Sequence, residues 1–214
     1  MKSRSSLPSL VAVAGDLFGF ATGLPSAIFS EAVKSLLRSR IEEAQRILIE
    51  ELEAGRPGEL LSDDSVAVMF RYARAAREGT ARVNLRIMAK VIANGVASED
   101  ITANRFHQLA GMIESLSIKE LVVLGSLYRH WREAGPEAAS ESGNRREAAA
   151  AVKELVPAVF ETNQDFAATC AAVSRTGLLV PVSLASGASY SVSTSLTELV
   201  RLADIEEAID RERR

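Results

Sequence analysis

The chain is short of the residues that most often mark a reaction centre. Its 214 residues include one cysteine, two histidines and one tryptophan. With Cys170 alone, no intramolecular disulfide can form, which fits a reducing compartment and a cytoplasmic protein. Cys170 lies in the run Ala-Thr-Cys-Ala-Ala, without a basic neighbour to activate it, and reads as a small core residue. His107 and His130 have no second His, Cys or carboxylate at convincing ligand spacing, so no metal is implied. The motifs G-x-x-x-x-G-K, H-E-x-x-H and G-x-S-x-G are missing, and no serine has a histidine placed to form a triad signal. No catalytic residue and no cofactor is therefore assigned, and the chain reads as a non-enzyme. A net charge of −3 excludes bulk attraction to nucleic acid or acidic lipid, leaving only local patches for such contacts. Aromatics are 5% of the residues, so the core must be mostly aliphatic.

What is present is ordinary for a globular protein: 47% apolar and 25% charged residues, in a chain long enough to bury a proper core. Abundant Ala and few strand-forming runs predict a mainly α protein built as a multi-helix bundle. Three regions are expected. Residues 1–56 form an apolar Gly-striped segment followed by a long amphipathic helix, 57–116 a helical region, and 117–214 a C-terminal unit.

The N-terminal region opens on residues 9–29, nearly all apolar or small and interrupted by Asp16 and Pro25. The length is borderline for a membrane span, and Asp16 also argues against a signal peptide. Gly15, Gly19 and Gly23 recur at every fourth position, a stripe that lets another backbone approach closely. With Phe18 beside it, this stripe is the candidate self-association surface. A helix is expected from Pro25 to Glu53, with Val33, Leu36, Leu37, Ile41, Ala44, Ile47, Leu48 and Leu52 on its apolar side. Glu42, Glu43, Glu50 and Glu51 lie on its polar side.

A second helix is expected from Ser62-Asp63-Asp64 to about Ala97, with a kink at Gly79-Thr80. Taken as continuous, it aligns Val66, Met69, Phe70, Ala73, Val83, Ile87 and Met88 on one face, and Arg71, Arg74, Arg82 and Arg86 on the other. With Lys90, these bases make the candidate anion or nucleic-acid contact; the alternative is pairing with the acids of the preceding helix. Asn84 falls on the apolar face and needs a partner if buried. Ser98-Glu99-Asp100 caps the next helix, and Ser117-Ile118-Lys119-Glu120 is a capping box opening another, with Leu121, Leu124, Tyr128 and Trp131 on one seam. Further helices are expected at about 145–155 and 157–176, the latter opened by Pro157. The tail from Asp204 reads as a solvated helix end.

Gly177 stops the helix before it, and Leu178–Val182, a turn at Ala185-Ser186-Gly187 and the alternating strand Ser189–Ser193 follow. Tyr190 and Val192 should pack inward with Leu179 or Val180. Thr194 or Ser195 caps a last helix carrying Leu196, Leu199, Val200 and Leu202. In "SLSIKELVVLGSLYRHW", "SRTGLLVPV" and "YSVSTSL", the last hundred residues resemble the helix–helix–helix–wing order of a MarR-like winged helix. The resemblance implies a DNA-binding shape, yet the segment Thr176–Thr197 has no charged residue. The helix before it carries Glu161, Asp165 and a single base, Arg175. Phosphate contacts dominate DNA affinity, so an uncharged, Ser-rich wing better suits packing against protein.

The leading expectation is a non-enzymatic helical protein acting through a protein partner or as a homo-oligomer, with its winged-helix-like end used structurally. Two alternatives stay open. One is a DNA-binding transcriptional regulator that uses the Arg-rich helix 71–90. The other is a protein peripheral to the membrane, inserting residues 9–29 with Lys34, Arg38 and Arg40 at the headgroups.

Overall fold

The computed structural model describes residues 31–55, 63–96, 102–135, 141–184 and 187–213. Gly15, Phe18, Gly19 and Gly23 lie outside the described residues, as does the whole segment 9–29. The described residues form nine α-helices, one π turn and one two-stranded antiparallel sheet near the C-terminus. No helix among them is long and apolar enough to cross a membrane. The chain divides into two compact units, Met1–Glu114 and Ser115–Arg214.

The first unit contains α1 (Glu31–Ala54), α2 (Asp63–Glu78), α3 (Arg82–Val91) and α4 (Ala103–Glu114), with a π turn at Ile92–Val96 continuing α3. α1 packs on α2 and α3, and α4 packs on the same two helices. The segment 1–56 and the region 57–116 thus share one core over their described parts. Ile41, Ala44, Ile47, Leu48 and Leu52 of α1 are buried there, but the stripe does not extend back to Leu36, which is 66% exposed. The helix read as continuous from 62 is two helices. Gly79 has φ +93°, a conformation open to glycine at little cost, and it separates α2 from α3. Within α2, Val68, Met69, Tyr72 and Ala73 are buried and Phe70 faces outward at 45% exposure. The Tyr72 hydroxyl donates to the Ala44 carbonyl at 3.0 Å. Asn84 is buried, and its amide donates to the Ile113 carbonyl at 2.7 Å. α4 begins later than expected, with Thr102 Oγ1 accepting from the Arg105 amide.

The second unit contains α5 (Ile118–Ala134), α6 (Glu141–Leu155), α7 (Asn163–Ser174), β1 (Leu179–Leu184), β2 (Gly187–Val192), α8 (Thr194–Leu202) and α9 (Ile205–Arg213). α6, α7 and α9 all pack on α5. The capping box at the start of α5 is formed by Ser117 and Glu120. A second one, Thr162 with Asp165, starts α7. Pro157 therefore does not open this helix; it lies in the turn between α6 and α7. α7 ends at Ser174, and Gly177 follows with φ +75°. In the hairpin, Leu179 is opposite Val192 and Pro181 opposite Tyr190. Of the two candidates for the inward contact, Leu179 is buried and Val180 is 48% exposed, as expected for neighbours on opposite faces of a strand. Tyr190 and Val192 are half-buried. The cap of α8 is Ser193, whose hydroxyl accepts from the Leu196 amide, one residue earlier than expected. The tail is no solvated end: Ile205, Ala208 and Ile209 of α9 are buried.

Candidate functional site

The five bases picked out from the sequence do not form one surface. The break at Gly79 separates Arg71 and Arg74 on α2 from Arg82, Arg86 and Lys90 on α3. Arg71 makes a bidentate pair with Glu114 of α4. Arg74 pairs with Glu78 one turn along its own helix at 2.7 Å. The other three face the acids of α1. Arg82 meets Glu43 at 2.9 Å, Arg86 meets Glu51 at 2.8 Å and Glu50 at 3.3 Å, and Lys90 lies 4.0 Å from Glu51. Arg86, Lys90 and Glu51 are buried. Each cation thus has a carboxylate against it, and the arrangement binds helices together within the unit rather than offering donors outward. Of the five, Arg74 and Arg82 are the most exposed.

In the second unit, the helix that precedes the hairpin shows solvent a surface of small neutral side chains. Ala167, Ala168, Ala171 and Ala172 are exposed on α7. Its one base, Arg175, is turned back on the unit. The guanidinium donates to the Glu120 carboxylate, to the Ala172 carbonyl, and to the Ser115 carbonyl at 2.7 Å. Burial pushes the Glu120 carboxyl up, but the Arg175 and Ser117 hydrogen bonds outweigh it and hold the group below its usual value.

A cleft of about 410 Å³ opens elsewhere on this unit, between α5, the turn after α6 and α9. Val122, Leu155, Val159 and Ile209 give it apolar walls, and Ser126, Arg129, Glu154, Glu206 and Asp210 give it polar ones. Arg129 spans two carboxylates, donating to Glu154 at 2.6 Å and to Glu206 at 3.0 Å. Glu154 also accepts from Ser126 at 2.9 Å, and its other neighbour is His130 Nε2 at 3.0 Å. Burial raises the Glu154 carboxyl, but the hydrogen bonds from Arg129, Ser126 and His130 bring it below its usual value. The carboxylate stands between the hydroxyl and the imidazole, accepting from the one and meeting the other. The network orients α5 and α6 instead. Among the described residues, no group of three or more His, Cys, Asp or Glu is placed to hold a metal ion. The sequence reading missed the cleft because α9, which forms one wall, was read as solvated; the i, i+3, i+4 spacing of Ile205, Ala208 and Ile209 was the available signal.

Glu147 of α6 is a further feature of this unit. It is 4% exposed, and its Oε1 has no hydrogen-bond partner among the described residues. Burial raises its carboxyl above the ordinary value, with His130 opposing. A raised carboxyl favours folding while protonated. That contribution is complete below the unfolded value near 4.5 and is lost as pH rises through the higher folded value. Glu147→Gln should therefore raise stability at pH 7 by on the order of 1 kcal/mol. Melting curves of the two proteins should converge as the pH is lowered toward 4.5; a gain that persists unchanged in acid would contradict this account. No family model, no curated protein and no solved structure matches the chain.

Proposed function

We propose that the protein acts through protein–protein contacts, as a homo-oligomer or with a protein partner, and that its C-terminal unit is a winged-helix-like element used structurally. The helix–helix–helix–hairpin order of α5, α6, α7, β1 and β2 supports the winged-helix reading. The observation that carries the functional reading is the surface of α7 and the hairpin. It presents Ala167, Ala168, Ala171, Ala172 and Val180 to solvent, while Arg175 is committed to Glu120 and two carbonyls. A surface whose one base is engaged gains little from counterion release, the term that dominates non-specific DNA affinity. It loses little on burial against another neutral protein surface.

Two measurements test this. Fluorescence anisotropy with a 30-base-pair duplex should show no salt-sensitive binding between 50 and 200 mM salt, conditions over which a phosphate-binding protein loses roughly 10³–10⁵ in affinity. Sedimentation or light scattering should give an assembled mass, or a partner should be captured, and Ala168→Glu with Val180→Glu should weaken that assembly. Tight, salt-sensitive DNA binding abolished by joint replacement of Arg74 and Arg82, the two exposed bases, would favour the regulator reading instead.

A further inference from the structure

We propose that the cleft between α5 and α9 is a binding site for a small organic cation, an aliphatic amine or guanidine. Its volume of about 410 Å³ falls within the roughly 300–1,000 Å³ of small-molecule clefts, and its division into apolar walls and a few converging polar groups is theirs too. This concavity is unlike the broad, flat patch of a protein interface.

Charge selects the ligand. The lining side chains hold three carboxylates, Glu154, Glu206 and Asp210, against the single guanidinium of Arg129. Arg129 is already held by Glu154 and Glu206, so among the lining side chains carboxylates outnumber the one cation. Asp210 stands one helical turn beyond Glu206 on α9 and is exposed. Glu206 is bonded to Arg129, so Asp210 is the lining carboxylate that an incoming ammonium would meet first. The aliphatic body of the ligand would cover Val159 and Ile209. An anion of the same shape would meet like charge at Asp210 and a guanidinium already engaged.

The full chain, labelled with ¹⁵N, is titrated with n-hexylamine and, at equal ionic strength, with n-hexanoate. Hexylammonium should produce saturable shifts confined to residues around 122–129, 154–159 and 206–210, with a dissociation constant on the order of millimolar for so few atoms. Hexanoate should produce none. Asp210→Asn, at an exposed position, should weaken hexylammonium about threefold without altering the rest of the spectrum. Equal responses to both ions would reduce the cleft to a plain apolar groove, and no response to either, or an unchanged affinity in Asp210→Asn, would equally overturn the assignment. A third arm uses acetyl-Gly-Lys-Gly-amide. Binding of this peptide with none of hexylammonium would transfer the site to a protein partner and overturn the small-molecule reading.

Discussion

Glu51→Ala is expected to destabilise the first unit by about 3–5 kcal/mol, read from far-UV circular dichroism during urea unfolding. Glu51 is the anion between two buried cations, with Arg86 at 2.8 Å and Lys90 at 4.0 Å. Its removal takes from both buried cations the carboxylate they share, with the half-exposed Glu50 still 3.3 Å from Arg86. Glu43→Gln provides the contrast. The Glu43–Arg82 pair lies at the surface, so its loss should cost about 0–1 kcal/mol. Replacing Glu51, Arg86 and Lys90 together by Leu, Met and Met should recover most of the loss, because no charge is then stranded. A cost below about 1 kcal/mol for Glu51→Ala would mean that water reaches this cluster and that it does not hold α1 to α3.

The second large effect is expected at Phe160. This residue stands in the turn between α6 and α7, buried, with its amide donating to the Leu155 carbonyl. Its ring meets Phe166 edge-on at 5.7 Å, and Lys119 Nζ lies 5.6 Å from the ring centroid. Phe160→Ala should cost about 3–5 kcal/mol through lost burial and the cavity left behind. The fluorescence of Trp131, the only tryptophan and a resident of the same unit, makes this transition visible apart from the first unit. Phe160→Leu, which keeps most of the volume, should cost much less. Similar costs for the two variants would argue that ring contacts with Phe166 and Lys119 outweigh the filled space.

The helical class and the C-terminal hairpin were legible because period and turn residues are local signals. The capping box at Ser117 and Glu120 was read correctly for the same reason. The equivalent signal at Thr162 and Asp165 was present but was overridden by Pro157, which suits a first helical turn and suits a turn between helices equally well. The fate of the basic residues was not legible. Periodicity states which residues share a side of a helix, and says nothing of what lies opposite that side. Arg71 meets Glu114 across 43 residues, a pairing that only the packing of α2 on α4 creates. Arg86 and Lys90 belong to the polar side of α3 by pattern and are buried because the acids of α1 cover them. The cleft combines three separated stretches of chain, so none of its chemistry is concentrated in any one of them.

Cys170 gives the second unit a built-in clock. The thiol is buried in α7, and burial pushes it up to about 12, so at neutral pH the closed form holds almost no thiolate. A thiol reagent therefore has one target in the whole chain, and it reacts when α7 lifts away from its neighbours. At low reagent the labelling rate measures how often the unit stands open, and at high reagent it approaches the rate of opening itself. Partner binding over α7 and the hairpin would slow this clock, whereas an occupant on a face remote from α7 would leave its rate unchanged unless it stabilised the whole unit.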